Sequence, residues 1–79
     1  MMFTYAIKSD VDGRIYVGMT SDITKRFGEH NSGKTKSTKG YVPWKLIYTK
    51  AHLTRLDARR HEKYLKGGSG KEFLKSIIP

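Results

Sequence analysis

Between residues 3 and 18 the chain reads FTYAIKSDVDGRIYVG. Large and small side chains alternate over residues 3–7, the run breaks over residues 9–13, and Ile15-Tyr16-Val17 resumes it, which predicts a β-hairpin. Asp12-Gly13 is a favoured turn dipeptide, because glycine accepts a positive φ without steric cost. Tyr5 and Tyr16 are therefore predicted to lie on neighbouring strands.

A short helix is predicted to follow this hairpin. The segment from Gly18 to Asp22 ends the second strand and offers hydroxyl and carboxylate groups that can cap a helix beginning near Ile23. Ile23 and Phe27 are four residues apart and would pack inward. Arg26 and His30 have the same spacing and would project together beside them.

The rest of the chain predicts one more strand and two more helices. Residues 31–40 contain no apolar side chain and are interpreted as a mobile basic loop, and Trp44 to Ala51 is predicted as the third strand. Thr54 is a good N-cap for a helix from Leu56 through Lys66 that ends at a glycine pair. The segment from Lys71 to Ile78 is predicted as a last short helix.

The order β-β-α-β-α-α indicates an α+β fold, with a small three-stranded antiparallel sheet flanked by short helices. At 79 residues the chain is predicted to form a single domain, 1–79.

The charge of the chain indicates a polyanionic partner. Sixteen Lys and Arg residues stand against seven Asp and Glu residues, a formal net charge of +9. Nucleic acid is favoured over a membrane surface, because the basic residues are spread over the chain and do not line one amphipathic helix. A solvated basic surface with no specific partner is the alternative.

The chain has no cysteine, which excludes disulfides, thiolate zinc sites and thiol nucleophiles. No apolar stretch approaches the roughly 20 residues that span a bilayer, and the start of the chain does not have the pattern of a signal peptide. We therefore expect a soluble cytoplasmic protein with no membrane partner.

Five side chains could support chemistry on a phosphodiester, which needs an activator of the nucleophile, a positive charge and usually a metal ion. Each has an ordinary structural explanation when taken alone: strand packing for the tyrosines, a solvated helix face or helix end for the cations, and a helix ion pair for the glutamate. Their joint order along the chain favours a functional site. They are Tyr5, Tyr16, Arg26, His30 and Glu62.

This order resembles the signature of the GIY-YIG nucleases. Tyr5 is followed eleven residues later by Tyr16-Val17-Gly18, and Arg26 and His30 come on the next predicted helix. Phe3-Thr4-Tyr5 stands in place of Gly-Ile-Tyr. The likeness is to small single-domain bacterial members, similar to the UvrC nuclease module, and it extends over further segments: His30-Asn31-Ser32-Gly33, Pro43-Trp44-Lys45-Leu46, Glu62-Lys63-Tyr64-Leu65-Lys66 and Gly70-Lys71-Glu72-Phe73-Leu74.

The resemblance implies hydrolysis of a DNA phosphodiester with one divalent ion, Mg²⁺ or Mn²⁺, bound by Glu62. It implies that Tyr5 activates the attacking water, that Tyr16 orients the water or the phosphate, and that Arg26 neutralises charge in the transition state. His30 would contact phosphate or help to transfer a proton. Likeness to the UvrC module also implies a role in DNA repair.

Basic side chains near the proposed site have two predicted uses. A free tyrosine has a pKa of about 10, so Tyr5 needs a nearby cation or metal to act as a base at neutral pH, and Lys8 and Arg26 are the candidates. Lys34, Lys36 and Lys39 are predicted to contact DNA phosphates, with simple solvation as the alternative.

A second hypothesis is a nucleic-acid-binding module that has the fold but cleaves weakly or not at all. GIY-YIG nucleases commonly have an Asn or Gln after the metal-binding glutamate, and no such residue follows Glu62. The sequence leaves the preferred DNA structure, the oligomeric state and any protein partner open.

Overall fold

The computed structural model describes residues 1–78 and confirms the predicted α+β fold. A short 3₁₀ turn, Lys39–Tyr41, precedes the third strand. The other elements are, in chain order, β1 (Met2–Ser9), β2 (Ile15–Thr20), α1 (Ile23–Asn31), β3 (Trp44–His52), α2 (Arg55–Lys66) and α3 (Gly68–Ser76).

The sheet is antiparallel with the strand order β2-β1-β3, so β1 lies in the centre. Tyr5 is opposite Gly18 and Ile7 is opposite Tyr16 on β2. Because side chains alternate along a strand, β1 supports a core on each face. Tyr5 and Ile7 pack with Trp44 and with apolar side chains of α1, whereas Ala6 packs with Val17 and with the buried leucines of α2 and α3.

The predicted start signals of the first two helices are confirmed. The side chain of Asp22 accepts a hydrogen bond from the backbone N–H of Lys25 at 3.0 Å, and that of Thr54 accepts one from Asp57 at 3.1 Å. Each oxygen satisfies a backbone donor that has no partner within the helix. Gly13 in the hairpin turn has φ +79°, the left-handed conformation expected there.

The last helix begins earlier than the sequence predicts, at Gly68 rather than Lys71. The glycine pair that ends α2 also begins α3, since Gly67 is both the C-cap of α2 and the N-cap of α3. A Cβ at Gly70 would collide with the carbonyl oxygen of Tyr64 and lie 2.5 Å from the Cα of Leu65. Gly70 therefore allows α3 to pack tightly against the end of α2.

The segment at residues 31–40 is anchored, which corrects the prediction of a mobile loop. The Asn31 side chain accepts a hydrogen bond from the backbone N–H of Trp44 at 2.6 Å and donates to its carbonyl at 3.0 Å. The Trp44 indole N–H also donates to the carbonyl of Thr38 at 3.0 Å, and Thr38 is buried. The three lysines of the segment lie towards the solvent.

Over residues 1–78, none of the helices has the length and apolar composition needed to cross a membrane.

Two helical glycines should respond to alanine in opposite directions. A Cβ added at Gly28 in α1 would meet no atom within 4 Å outside its own helix, so Gly28→Ala should stabilise the protein by about 0.5–1 kcal/mol through helix propensity alone. Gly70→Ala should destabilise it by about 1–3 kcal/mol, because the added methyl overlaps the α2 backbone. Chemical denaturation measures both, and a Gly70→Ala protein as stable as the Gly28→Ala protein would contradict the packing argument.

Candidate active site

A buried chain of hydrogen bonds connects β1 to α1 and to the segment that follows α1. The Tyr5 hydroxyl lies 2.8 Å from Nε2 of His30, and Nδ1 of His30 lies 2.8 Å from Oγ1 of Thr38. Tyr5 is 2% exposed, His30 is fully buried and Thr38 is 1% exposed. His30 is thus an interior side chain, not a solvated residue at the end of a helix.

The partners of Thr38 indicate where the protons of this chain lie. The Thr38 hydroxyl donates to the carbonyl of Thr35 at 3.4 Å, so its oxygen is left to accept the N–H of His30 Nδ1. Nε2 of a neutral imidazole then has a free lone pair that accepts the Tyr5 O–H. This geometry favours the His30 tautomer that can receive a proton from Tyr5.

Burial lowers the pKa of His30 below 6.5, and the positive charge of Arg26 lowers it further. Burial raises the pKa of Tyr5 above 10.0, an effect that outweighs the opposing influence of the Arg26 guanidinium. Both side chains are therefore neutral at pH 7, and a free Tyr5 phenolate is disfavoured.

Gly18 makes room for the ring of Tyr5 on the neighbouring strand. A Cβ at this position would lie 2.6 Å from the Tyr5 hydroxyl oxygen and 2.7 Å from Cζ. Gly18 itself lies within β2, and the strand ends at Thr20, inside the segment from Gly18 to Asp22 that was predicted to end it. The glycine is needed for this contact, since the buried Tyr5 ring has little space in which to move.

Arg26 lies beside Tyr5 and is held by an acidic neighbour. Its Nη1 is 3.1 Å from Oε1 of Glu29, and both side chains are about one third exposed. Hydrogen bonding to Glu29, and next to Tyr5, raises the pKa of Arg26 further, so the guanidinium stays charged. This positive charge faces both the buried Tyr5 and the solvent.

Tyr16 and Glu62 complete the group of side chains around Tyr5. The Tyr16 ring centroid lies 5.0 Å from that of His30 and 6.4 Å from that of Tyr5. Glu62 extends from α2, which contacts β1 and β2, and its negative charge is close enough to contribute to the raised pKa of Tyr5. The Glu62 side chain is 14% exposed, and its oxygens lie 3.6 Å from Nζ of Lys66 and 3.9 Å from Nε of Arg59.

The structure does not bring the other predicted basic residues into this group. Lys8 is three residues from Tyr5 on β1, so its side chain leaves the opposite face of the sheet. Lys34, Lys36 and Lys39 lie on the segment anchored by Thr38. A catalytic role for Lys8 and phosphate contacts for the three lysines stay predictions.

Two residues that the sequence did not suggest belong to the site. Thr38 lies in a polar segment rich in lysine, and no sequence signal indicates that it is buried. Glu29 could have been found from its position three residues after Arg26, a spacing that places two helical side chains side by side.

Comparison with known proteins identifies the family of the chain. A family model described as the GIY-YIG catalytic domain matches residues 1–75. A UPF0213 protein of Staphylococcus epidermidis is 34% identical over 76 residues, which cover 95% of this chain and 92% of that protein.

Two further proteins extend the comparison. A UPF0213 protein of Streptococcus agalactiae is 39% identical over 56 residues, which cover 70% of this chain but only 64% of that relative. The solution NMR structure of a UPF0213 protein of Bacillus halodurans superposes with a TM-score of 0.58 at 34% identity, covering 98% of this chain and 85% of the other.

The role of Thr38 can be tested by NMR. In the folded protein we expect ¹⁵N shifts of a protonated Nδ1 and an unprotonated Nε2 for His30. Thr38→Val removes the acceptor of the Nδ1 proton and should shift the tautomer towards Nε2–H, with a loss of about 1–3 kcal/mol in stability because Nδ1 is left buried without a hydrogen-bond partner. Thr38→Ser should retain the wild-type shifts, and a wild-type His30 protonated at Nε2 would contradict the assignment.

Proposed function

Because the chain belongs to the GIY-YIG catalytic domain family, we propose that it is a metal-dependent endonuclease that hydrolyses phosphodiester bonds of DNA. The observation that carries this proposal is the buried Tyr5–His30–Thr38 chain, with the Arg26 guanidinium beside the tyrosine. A phenol backed by a proton acceptor and a fixed cation suits attack on a phosphate. A cytoplasmic location and a role in DNA repair belong to the same proposal.

Glu62 suits one hard divalent ion. Over residues 1–78 no three or more His, Asp or Glu side chains are grouped as a metal site, so most ligands of an ion at Glu62 would come from water and substrate. Mg²⁺ fits such a site, because it keeps several waters and takes other oxygen ligands from the substrate phosphate, and Mn²⁺ is the alternative. When bound, the ion would stabilise negative charge on the phosphoryl oxygens.

His30 offers a route for the proton that the attacking water must lose. Tyr5 accepts this proton on its oxygen while its own O–H proton passes to Nε2 of His30, so the products of the transfer are hydroxide, neutral tyrosine and imidazolium. The raised pKa of Tyr5 is then no obstacle, because no free phenolate has to form. In this proposal His30 is catalytic because its Nε2 receives the proton that Tyr5 gives up.

Arg26 and Tyr16 are the side chains proposed to bind the phosphate. Arg26 is already charged and partly exposed, so a phosphate oxygen can replace the carboxylate of Glu29 as its partner. Tyr16 is half-buried next to His30 and can donate its hydroxyl proton to the same phosphate or to the water. Lys34, Lys36 and Lys39 would add affinity that does not depend on sequence.

A nucleic-acid-binding module without strong cleavage is the second candidate. The net charge of +9 and the lack of an Asn or Gln after Glu62 favour it, since the first supports DNA binding and the second departs from the usual nuclease pattern. The two candidates differ in whether DNA is cut once it is bound.

Glu62→Gln tests the proposed metal ligand. In assays with labelled DNA and Mg²⁺ or Mn²⁺, we expect the wild type to cleave and Glu62→Gln to lose activity by about 100-fold or more, with DNA affinity retained. Glu72→Gln removes the same charge from an exposed position on α3 and should behave as wild type. A wild-type protein that binds DNA and leaves it intact with either ion would favour the second candidate.

The pH dependence of cleavage tests the proton route. The pKa of His30 is lowered, so Nε2 is free at neutral pH and becomes protonated only as the pH falls below 6.5. We expect kcat/KM to be level near pH 7 and to fall in the acid range. A rate that instead rises towards pH 10 would mean that Tyr5 must ionise, which would contradict proton transfer to His30.

A further inference from the structure

A cavity of about 480 Å³ lies on the other face of the sheet from the Tyr5–His30 hydrogen bond. It is formed between the end of the hairpin, β2, the end of α2, and α3. Its volume lies in the range of sites that bind small molecules. Among residues 1–78 its lining includes no acidic side chain and consists of Gly13, Arg14, Ile15, Tyr16, Val17, Leu65, Lys66, Lys71, Leu74 and Lys75.

The rim of the cavity is strongly basic. Lys71 and Lys75 are four residues apart on α3 and exposed, so both extend from the same side of the helix. Within residues 1–78 neither lysine makes an ion pair, whereas Arg14 is paired with Asp12 at 2.8 Å. The charges of Lys71 and Lys75 are therefore available to an anion.

The floor of the cavity is apolar. The half-buried Ile15 and Val17, which is 8% exposed, supply its accessible apolar surface, and the fully buried Leu65 and Leu74 support them in the same cluster. An apolar floor under a cationic rim matches a ligand with a flat, weakly polar body and an attached phosphate. A nucleotide has this chemistry, because its base can lie on the floor while its phosphate reaches the lysines.

Two residues of the cavity lining also lie beside the candidate active site, one of them on the edge strand β2. Tyr16 lines the cavity and also lies next to His30, and Lys66 lines it while its Nζ is 3.6 Å from Oε2 of Glu62. A ligand in the cavity would therefore border two residues that also lie beside the candidate active site.

We propose that this cavity binds one unpaired nucleotide of a DNA strand, adjacent to the phosphate held at the active site. The proposal rests on the DNA-cleaving function above and adds a substrate preference to it. A base that is paired and stacked in a duplex cannot enter a cavity of this kind, whereas a base in a single-stranded end or gap enters without unpairing. Strands with an unpaired nucleotide should therefore bind more tightly than intact duplex.

Binding without a metal ion tests the cavity separately from cleavage. Fluorescence anisotropy would compare a blunt duplex with the same duplex carrying an overhang of three thymidines. We expect the wild type to bind the overhang form about fivefold or more tightly, because the apolar face of one unpaired base leaves water on the aliphatic floor. In the double variant Lys71→Gln/Lys75→Gln this preference should disappear. Because two phosphate contacts are lost, the slope of log affinity against log salt concentration for single-stranded DNA should decrease in magnitude by about 1.4.

Lys45→Gln/Lys50→Gln is the matched control. It removes the same charge from β3, at the opposite edge of the sheet from β2, and should retain the preference for the overhang. In ¹H–¹⁵N spectra a thymidine trinucleotide should shift the amide signals of residues 15–17 and of Leu65 and Leu74.

Three results would overturn the proposal: equal affinity for the two DNAs, an equal loss in both double variants, or trinucleotide shifts confined to other surfaces. If the overhang preference depends on Lys71 and Lys75 but no DNA is cut with Mg²⁺ or Mn²⁺, the cavity is correct and the nuclease function is wrong. If DNA is cut with no overhang preference, the nuclease function is correct and the cavity proposal is wrong.

Discussion

The hydrogen bond between the Tyr5 hydroxyl and Nε2 of His30 is the interaction on which the site depends. It joins the central strand to α1 through the interior, where both side chains are buried. An unpaired buried donor or acceptor costs about 1–3 kcal/mol, so the bond fixes the position of both elements as well as that of the two side chains. Thr38 extends it to the segment after α1, which explains how a stretch with no apolar side chain is anchored.

The same strand serves two cores, and this division lets a small protein combine stability with a polar interior. On one face Tyr5 and Ile7 pack around Trp44, with the polar chain enclosed among them. On the other face Ala6, Val17, Leu65 and Leu74 form the buried apolar cluster under α2 and α3. The cluster around Ala6 and Val17 thus lies on the face of the sheet away from the Tyr5–His30 hydrogen bond. The ring of Tyr5 can therefore occupy the space above Gly18 without weakening that cluster.

Much of this arrangement follows from local rules that the sequence displays. The period of the hairpin and the capping oxygens of Asp22 and Thr54 act over a few residues, so the strands and the starts of the first two helices were predictable. The same alternation separates Tyr5 from Lys8, which are an odd number of residues apart and therefore point to opposite faces. The start of α3 was not predictable, because it depends on the contact of Gly70 with the α2 backbone, which forms only in the folded protein. Burial of Thr38 likewise depends on Trp44 and His30, which reach it from other elements.

The position of β2 at one edge of the sheet connects the two faces. Tyr16 on this strand lies near His30 and also lines the cavity whose floor includes Val17, the next residue. Within residues 1–78 this edge strand has no further strand on its outer side. A ligand that crosses the edge therefore meets Tyr16 on one face of the sheet and Val17, the next residue, on the other. The lysines of residues 34–39 follow α1 on one face, and Lys71 and Lys75 belong to the helix on the other. A polyanionic strand that passes over β2 would therefore meet cations on both sides of Tyr16. This gives a physical reason for the basic residues to be distributed over the chain and not concentrated in one helix.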